Sequence, residues 1–127
     1  MPFAPLMAVP ASGTRFAATD VSPELRADIE QKLKSARVVV FLTGTPQQPR
    51  CGFTMRMVDL LRQFGVAYTS YDILEDDDFC AGLKRYSDWP TYPQMYVDGE
   101  LVGGYDATKQ MALDGSLVKM LKEKQLL

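Results

Sequence analysis

Five consecutive apolar residues, Val38-Val39-Val40-Phe41-Leu42, mark a buried strand, and the residues that follow them restrict the fold more than any other part of the chain. From Thr54 onward the spacing becomes helical, with Met55, Val58 and Leu61 on one face and Leu60 and Phe64 beside them. Between strand and helix runs Thr43-Gly44-Thr45-Pro46-Gln47-Gln48-Pro49-Arg50-Cys51-Gly52-Phe53-Thr54, which sets Cys51 at a helix N-terminus. Unpaired backbone N–H groups and the positive end of the helix dipole favour a thiolate there, and adjacent Arg50 adds charge. A reactive or metal-binding sulfur is expected, set against the plainer reading of a small, half-buried cysteine. A dithiol exchange motif needs a second cysteine three positions on, where this chain has Thr54; its hydroxyl can donate to the sulfur and stabilise the charged form.

The elements around that junction follow from local signals. Ser22-Pro23-Glu24 supplies an N-cap, a first-turn proline and an early acid, and Leu25, Ile29 and Leu33 line the helix that runs to about Lys34. Helix two runs to about Gln63 and Gly65 ends it; Val66 to Ile73 alternates as a second strand. The acids Glu75 to Asp78 start helix three, which continues through Leu83 to Tyr86. A metal site there is the weaker reading, since consecutive carboxylates on a helix point different ways. Gln94 to Val97, the turn Asp98-Gly99 and Glu100 to Val102 form a hairpin, followed by helices around Ala107 to Leu113 and Leu117 to Lys124. The order α-β-α-β-α-β-β-α-α predicts an α/β fold, a mixed four-stranded sheet flanked by helices.

At 127 residues the chain makes one folded domain, residues 21–127, behind a flexible leader over 1–20. Met1 to Thr19 holds no acid, one base (Arg15) and Pro2, Pro5 and Pro10. It reads either as an organelle transit peptide or as a plain leader. The absence of histidine from the whole chain excludes a histidine-dependent nucleophile or acid/base site, and with two cysteines a single chain cannot build a Cys/His zinc tetrahedron. A net charge of -2 with signs interspersed leaves no electrostatic footprint for nucleic acid, and no apolar span suits a membrane. So low a cysteine count points away from disulfide-rich secretion and toward a reducing intracellular compartment, mitochondrial or cytoplasmic, the residues leaving that choice open.

Several ordered motifs then carry a resemblance: Gly44-Thr45-Pro46, Pro49-Arg50-Cys51-Gly52-Phe53-Thr54, Trp89-Pro90-Thr91-Tyr92-Pro93-Gln94, Tyr96-Val97-Asp98-Gly99-Glu100-Leu101-Val102-Gly103-Gly104 and Asp106. Together, over about residues 22 to 125, the chain resembles the monothiol glutaredoxins of the thioredoxin fold. The resemblance implies a three-layer thioredoxin-like architecture, glutathione or a related low-molecular-weight thiol bound beside Cys51, and a [2Fe-2S] cluster held between two protomers. Cysteine arithmetic agrees: four thiolates are usual, two chains supply two, and two bound thiols supply the rest.

On that view Cys51 is both catalytic sulfur and metal ligand, with Arg50 beside it and Phe53 an apolar contact near the cluster. Pro93 matches the family's cis-proline, which turns the Tyr92 backbone toward the thiol ligand, or else it makes a simple strand-edge turn. Gly103 and Gly104 let the backbone approach the ligand; N–H groups at the next helix start receive its glutamyl carboxylate and Asp106 its ammonium. Asp106 can also serve as a helix cap. Thr91 and Tyr105 flank these positions and are counted with them. Trp89 and Pro90 give shape to the loop.

Two positions depart from the family pattern. Thr43 stands where a lysine normally anchors the ligand's glycine carboxylate, and Cys80 stands roughly where another basic residue is usual near the start of helix three. Arg50, Lys84 or Arg85 can compensate; a polyamine conjugate of glutathione, without that carboxylate, would also account for the losses. Cys80 reads as a helix-three cysteine facing its neighbours, or as a resolving thiol if its Cα comes within about 7 Å of that of Cys51. The functions implied are an iron-sulfur carrier, dimeric with cluster and monomeric without, serving iron-sulfur recipient proteins and a BolA-like partner that supplies a histidine. The alternatives are a slow glutathione-dependent thiol oxidoreductase and a cluster-independent docking module.

Overall fold

The computed structural model describes residues 21–127. The leader expected over 1–20, with its transit-peptide reading, lies outside the described residues. In chain order the elements are α1 (Pro23–Leu33), β1 (Val38–Leu42), α2 (Gly52–Phe64), β2 (Thr69–Asp72), a single 3-10 turn (Ile73–Glu75), α3 (Asp77–Ser87), β3 (Gln94–Val97), β4 (Glu100–Gly103), α4 (Tyr105–Asp114) and α5 (Ser116–Glu123). The sheet order is β2-β1-β3-β4, with β1 parallel to β2 and antiparallel to β3, and β3 antiparallel to β4.

Because side chains alternate across a strand, the apolar run of β1 feeds two cores at once. Val38, Val40 and Leu42 join Met95 and Val97 against Met57, Val58 and Leu61 of α2 and Leu117 and Leu121 of α5. Val39 and Phe41 point the other way, toward Ile29 and Leu33 of α1 and Phe79 and Leu83 of α3. This is the three-layer arrangement. Phe41 centres its half, with ring centroids of Tyr71, Phe79 and Tyr96 each 5.7 Å away. Aromatic contacts of this kind add about 0.5–1.5 kcal/mol each beyond burial.

The second strand is shorter than the expected Val66 to Ile73. Asp72 ends it, its carboxylate accepting the Leu74 N–H at 2.9 Å and drawing Ile73–Glu75 into the 3-10 turn. Asp76, from the middle of the acidic run, caps α3 by accepting the Phe79 N–H at 3.1 Å, and Asp77 and Asp78 occupy its first turn. Asp98 and Gly99 both carry positive φ, +51° and +82°, as a tight hairpin turn requires.

Candidate functional site

β1 delivers Thr43 to the rim of the sheet, and a closed loop returns the chain to α2. Gly44 makes the turn at φ +97°, and a Cβ on it would meet the Gln48 carbonyl oxygen at 2.5 Å and the Arg50 nitrogen at 2.8 Å. Its N–H donates to Asp72 Oδ1 at 3.0 Å. The Arg50 N–H donates to the Thr43 carbonyl at 2.8 Å, while Thr45 and Gln48 exchange backbone bonds at 3.1 and 3.2 Å. Cys51 emerges from that loop in extended conformation as the N-cap of α2.

The Cys51 sulfur is partly exposed and closely partnered. Thr43 Oγ1 donates to it at 2.9 Å, the Thr54 N–H at 3.4 Å, and the thiol can donate to Thr54 Oγ1 at 3.4 Å. Thr54, fully buried, also accepts the Thr43 N–H at 3.2 Å. Burial pushes the thiol up, but the hydrogen bonds from Thr43, Thr54 and the Phe53 backbone together outweigh it and leave the titration below that of an ordinary cysteine. Hydroxyls and backbone N–H groups do the lowering; Arg50 is exposed to solvent.

A cavity of about 350 Å³ opens close by, lined by Phe53, Trp89, Thr91, Tyr92, Pro93, Gly104, Tyr105, Asp106 and Ala107. Seven of the ten residues read from the sequence as catalytic or ligand-binding thus line one cavity, with Trp89 beside them; Arg50, Cys51 and Gly103 stand outside it, Cys51 two positions before Phe53. The Tyr92–Pro93 peptide bond is cis, as the resemblance implied. Phe53 is 48% exposed, its ring 6.3 Å from that of Tyr105 and 5.5 Å from the Arg56 guanidinium. Gly103, at φ +132°, has no room for a side chain, since its Cβ would fall 2.8 Å from that of Ala107. Asp106 is exposed in the first turn of α4, and Gly104 holds the N-cap position with no side-chain cap, so Asp106 does not serve as a cap.

Two anchors hold the Trp89–Pro93 loop. Gln94, fully buried, donates from Nε2 to the carbonyls of Trp89 and Thr91 at 3.1 and 3.2 Å and accepts the Tyr96 hydroxyl at 3.0 Å. The Tyr92 hydroxyl donates to the Cys80 carbonyl at 2.7 Å, and burial raises the phenol far above its usual range. Cys80 is half-buried against the α1–α3 core, and both cysteines are free thiols. Lys84 reaches over the Tyr92 ring at 5.8 Å. Sequence reasoning missed the Gln94 anchor and the Thr43 hydroxyl bond; the latter was legible only as a departure from the family pattern. A larger depression, about 630 Å³, lies at the other end of β1 among Glu30, Arg37, Tyr86 and Asp98, with no cysteine in its lining.

A four-stranded sheet between two helical layers, with a single activated cysteine at the head of α2 and a cis-proline loop lining the cavity that Phe53 borders, defines a thioredoxin-fold protein built around one thiol. The glutaredoxin profile matches residues 38–102. The chain is 43% identical over 110 residues to the mitochondrial monothiol glutaredoxin-5 of Saccharomyces cerevisiae, covering 84% of this chain and 73% of that one. It is 44% identical over 110 residues to rice monothiol glutaredoxin-S11, covering 87% of this chain. Among solved structures, a monomeric truncated mutant of Trypanosoma brucei 1-C-Grx1 superposes with a TM-score of 0.73 at 39% identity, covering 80% of this chain and 93% of that one. A buckwheat glutaredoxin in complex with glutathione superposes at 0.69 and 26% identity, covering 84% and 98%. The chain belongs to the glutaredoxin family, in its monothiol branch. It spans only 22% to 32% of the length of several longer relatives, among them the rice protein and zebrafish glutaredoxin 3.

Proposed function

We propose that this protein carries a [2Fe-2S] cluster, ligated by Cys51 from each of two protomers and by two glutathione-type thiols bound in the cavity beside Phe53. The observation that carries the reading is the lone, partly exposed Cys51 sulfur, held toward its ionised form and without a partner thiol at position 54. Among the described residues no group of three or more His, Cys, Asp or Glu side chains is placed to hold a metal, so one chain cannot complete a four-ligand cluster. The glutathione complex of the buckwheat relative supports a γ-glutamyl thiol as the second ligand. Phe53, half exposed beside the sulfur, would shield the cluster edge from water. Recipient apoproteins and a histidine-bearing BolA-like protein are the partners this reading calls for, in a reducing compartment.

The test is anaerobic reconstitution with iron, sulfide and glutathione, followed by visible absorption and circular dichroism on the sized species. A cluster spectrum on a dimer that needs both Cys51 and added thiol supports carriage. No chromophore in the wild type, or a cluster surviving Cys51→Ser, overturns it. The lowered thiol titration favours one second reading, slow removal of glutathione from protein mixed disulfides: Cys51 thiolate attacks the glutathionyl sulfur, the protein thiolate leaves, and free glutathione then releases Cys51 as thiolate with formation of glutathione disulfide. Turnover of a glutathionylated peptide by cluster-free protein would favour it.

A further inference from the structure

The sulfur of Cys51 has a partner that does not belong to its own helix. Thr43, at the end of β1, places Oγ1 2.9 Å from Sγ and 2.7 Å from Thr54 Oγ1, and its backbone N–H donates to that same Thr54 oxygen at 3.2 Å. The proton count in this triangle is restrictive. Two hydroxyl protons serve three acceptor atoms, and Thr54 Oγ1 already accepts from a backbone N–H. When the Thr54 hydroxyl donates to Thr43 Oγ1, the Thr43 proton is directed to sulfur over 2.9 Å, shorter than the 3.4 Å between sulfur and Thr54 Oγ1, and each bond polarises the next. An ionised or covalently occupied sulfur has no proton of its own to offer, yet it keeps lone pairs that accept.

We infer that the Thr43 hydroxyl donates to the Cys51 sulfur in its free and its ligated states alike, and thereby sets how weakly that sulfur holds what it binds. For the free thiolate, such a bond withdraws electron density and lowers nucleophilicity. For a cluster ligand, which rests on the carrier reading above, it weakens donation to iron and raises the reduction potential, since hydrogen bonds to cluster sulfurs tune both. A ligand loosened in this way suits a cluster that must be handed on rather than stored. The effect is separable from the helix cap, because the Thr54 N–H reaches Sγ whatever stands at position 43.

The experiment compares Thr43→Val, which keeps the shape and removes the hydroxyl, with Thr43→Ser, which restores it; Thr43→Ala repeats the deletion in case valine packs poorly. Cluster-free protein is alkylated with iodoacetamide at a pH above the thiol titration of every variant, and the Cys51 adduct is resolved from that of Cys80 by peptide mass, so that only the reactivity of the ionised Cys51 sulfur is read. Valine and alanine should react severalfold faster than wild type, and serine should match wild type. In protein reconstituted with iron, sulfide and glutathione, valine should shift the cluster potential to more negative values and slow transfer to apo-ferredoxin severalfold, again with rescue by serine. Wild-type alkylation rates in folded valine and alanine variants overturn the inference. If the wild type takes up no cluster, the carrier reading fails, while the alkylation series still decides the role of Thr43.

Discussion

Cys51 caps the helix it heads, its sulfur accepting the N–H of Thr54 at 3.4 Å, so the reactive atom is also part of the fold. Serine is a better N-cap than most residues and keeps an acceptor at this place. Cys51→Ser should therefore fold with stability within about 1 kcal/mol of wild type while losing cluster uptake and the alkylation at position 51, leaving only that of Cys80. The pH dependence has a defined sign in cluster-free protein. The folded state lowers the thiol titration, so between the folded and the ordinary thiol values it binds fewer protons than the unfolded chain. Wild type should gain stability relative to Cys51→Ser as pH rises through that window, hold the full gain above it, and lose it as pH falls through the folded value. Urea midpoints of the pair at mildly acidic and alkaline pH check this; a constant difference would contradict it.

Gly44→Ala should damage the site through the backbone. A Cβ there meets two main-chain atoms of its own loop, the Gln48 oxygen and the Arg50 nitrogen, at a φ of +97°. Neither obstacle is a side chain that can swing away, so the loop must move, at a cost of about 1–3 kcal/mol. Because that loop carries Cys51 to the Thr43 hydroxyl, the variant should also shift the thiol titration back toward the ordinary value. Thermal melts and the pH profile of alkylation would be measured together; normal values of both would show that the loop is looser than its contacts imply.

The two anchors of the cis-proline loop should differ in weight. Tyr92→Phe removes one part-buried hydroxyl bond to the Cys80 carbonyl and should cost about 1 kcal/mol. Gln94→Leu leaves the carbonyls of Trp89 and Thr91 and the Tyr96 hydroxyl short of a partner around a fully buried position, and should cost about 3 kcal/mol or more. Denaturant unfolding of the two variants orders them; an equal loss would mean that the buried Gln94 bonds hold the loop no more strongly than the single Tyr92 bond.

Local signals made most of the architecture legible. The run Val38–Leu42, the dipeptide Asp98-Gly99 and the proline after Ser22 each act within a few residues, and the elements they mark are all present. The second strand was read too long at both ends: Val66 to Tyr68 lie before it, outside the sheet, and its far end is decided by a side chain, the Asp72 carboxylate turning back onto Leu74. Cys51 and the cavity residues were visible through motif order. Thr43 was visible only as an exception: its contact with Cys51 spans eight positions and exists because the Gly44 turn and the Arg50 to Thr43 backbone bond close the intervening loop. No periodicity encodes that closure. Gln94 was hidden for a similar reason, since a polar residue opening a strand gives no sign that it will be buried under three hydrogen bonds.

Far from the sulfur, Asp98 at the hairpin turn should give the fold an acid-sensitive clasp. Arg37 donates to both of its carboxylate oxygens at 2.9 and 3.0 Å, Lys124 lies 3.3 Å away, and Arg37 also donates to the Lys124 carbonyl at 2.8 Å. The Arg37 bonds, ahead of those from Lys124, hold the carboxyl down to about 2. Asparagine tolerates the positive φ at this turn, so Asp98→Asn removes the charge without forcing the backbone. The carboxylate is depressed in the folded state, so its contribution is complete above the ordinary carboxylate range and disappears as pH falls through about 2. The stability gap between wild type and Asp98→Asn should therefore be modest at neutral pH, shrink in high salt and close in strong acid, as exposed ion pairs do. Cys51 alkylation should be unchanged throughout, because the clasp joins the β3–β4 turn to the end of α5 and reaches no residue of the thiol site. Thermal midpoints against pH and salt test the first part; a gap that persists in strong acid would assign the effect to turn geometry instead of charge.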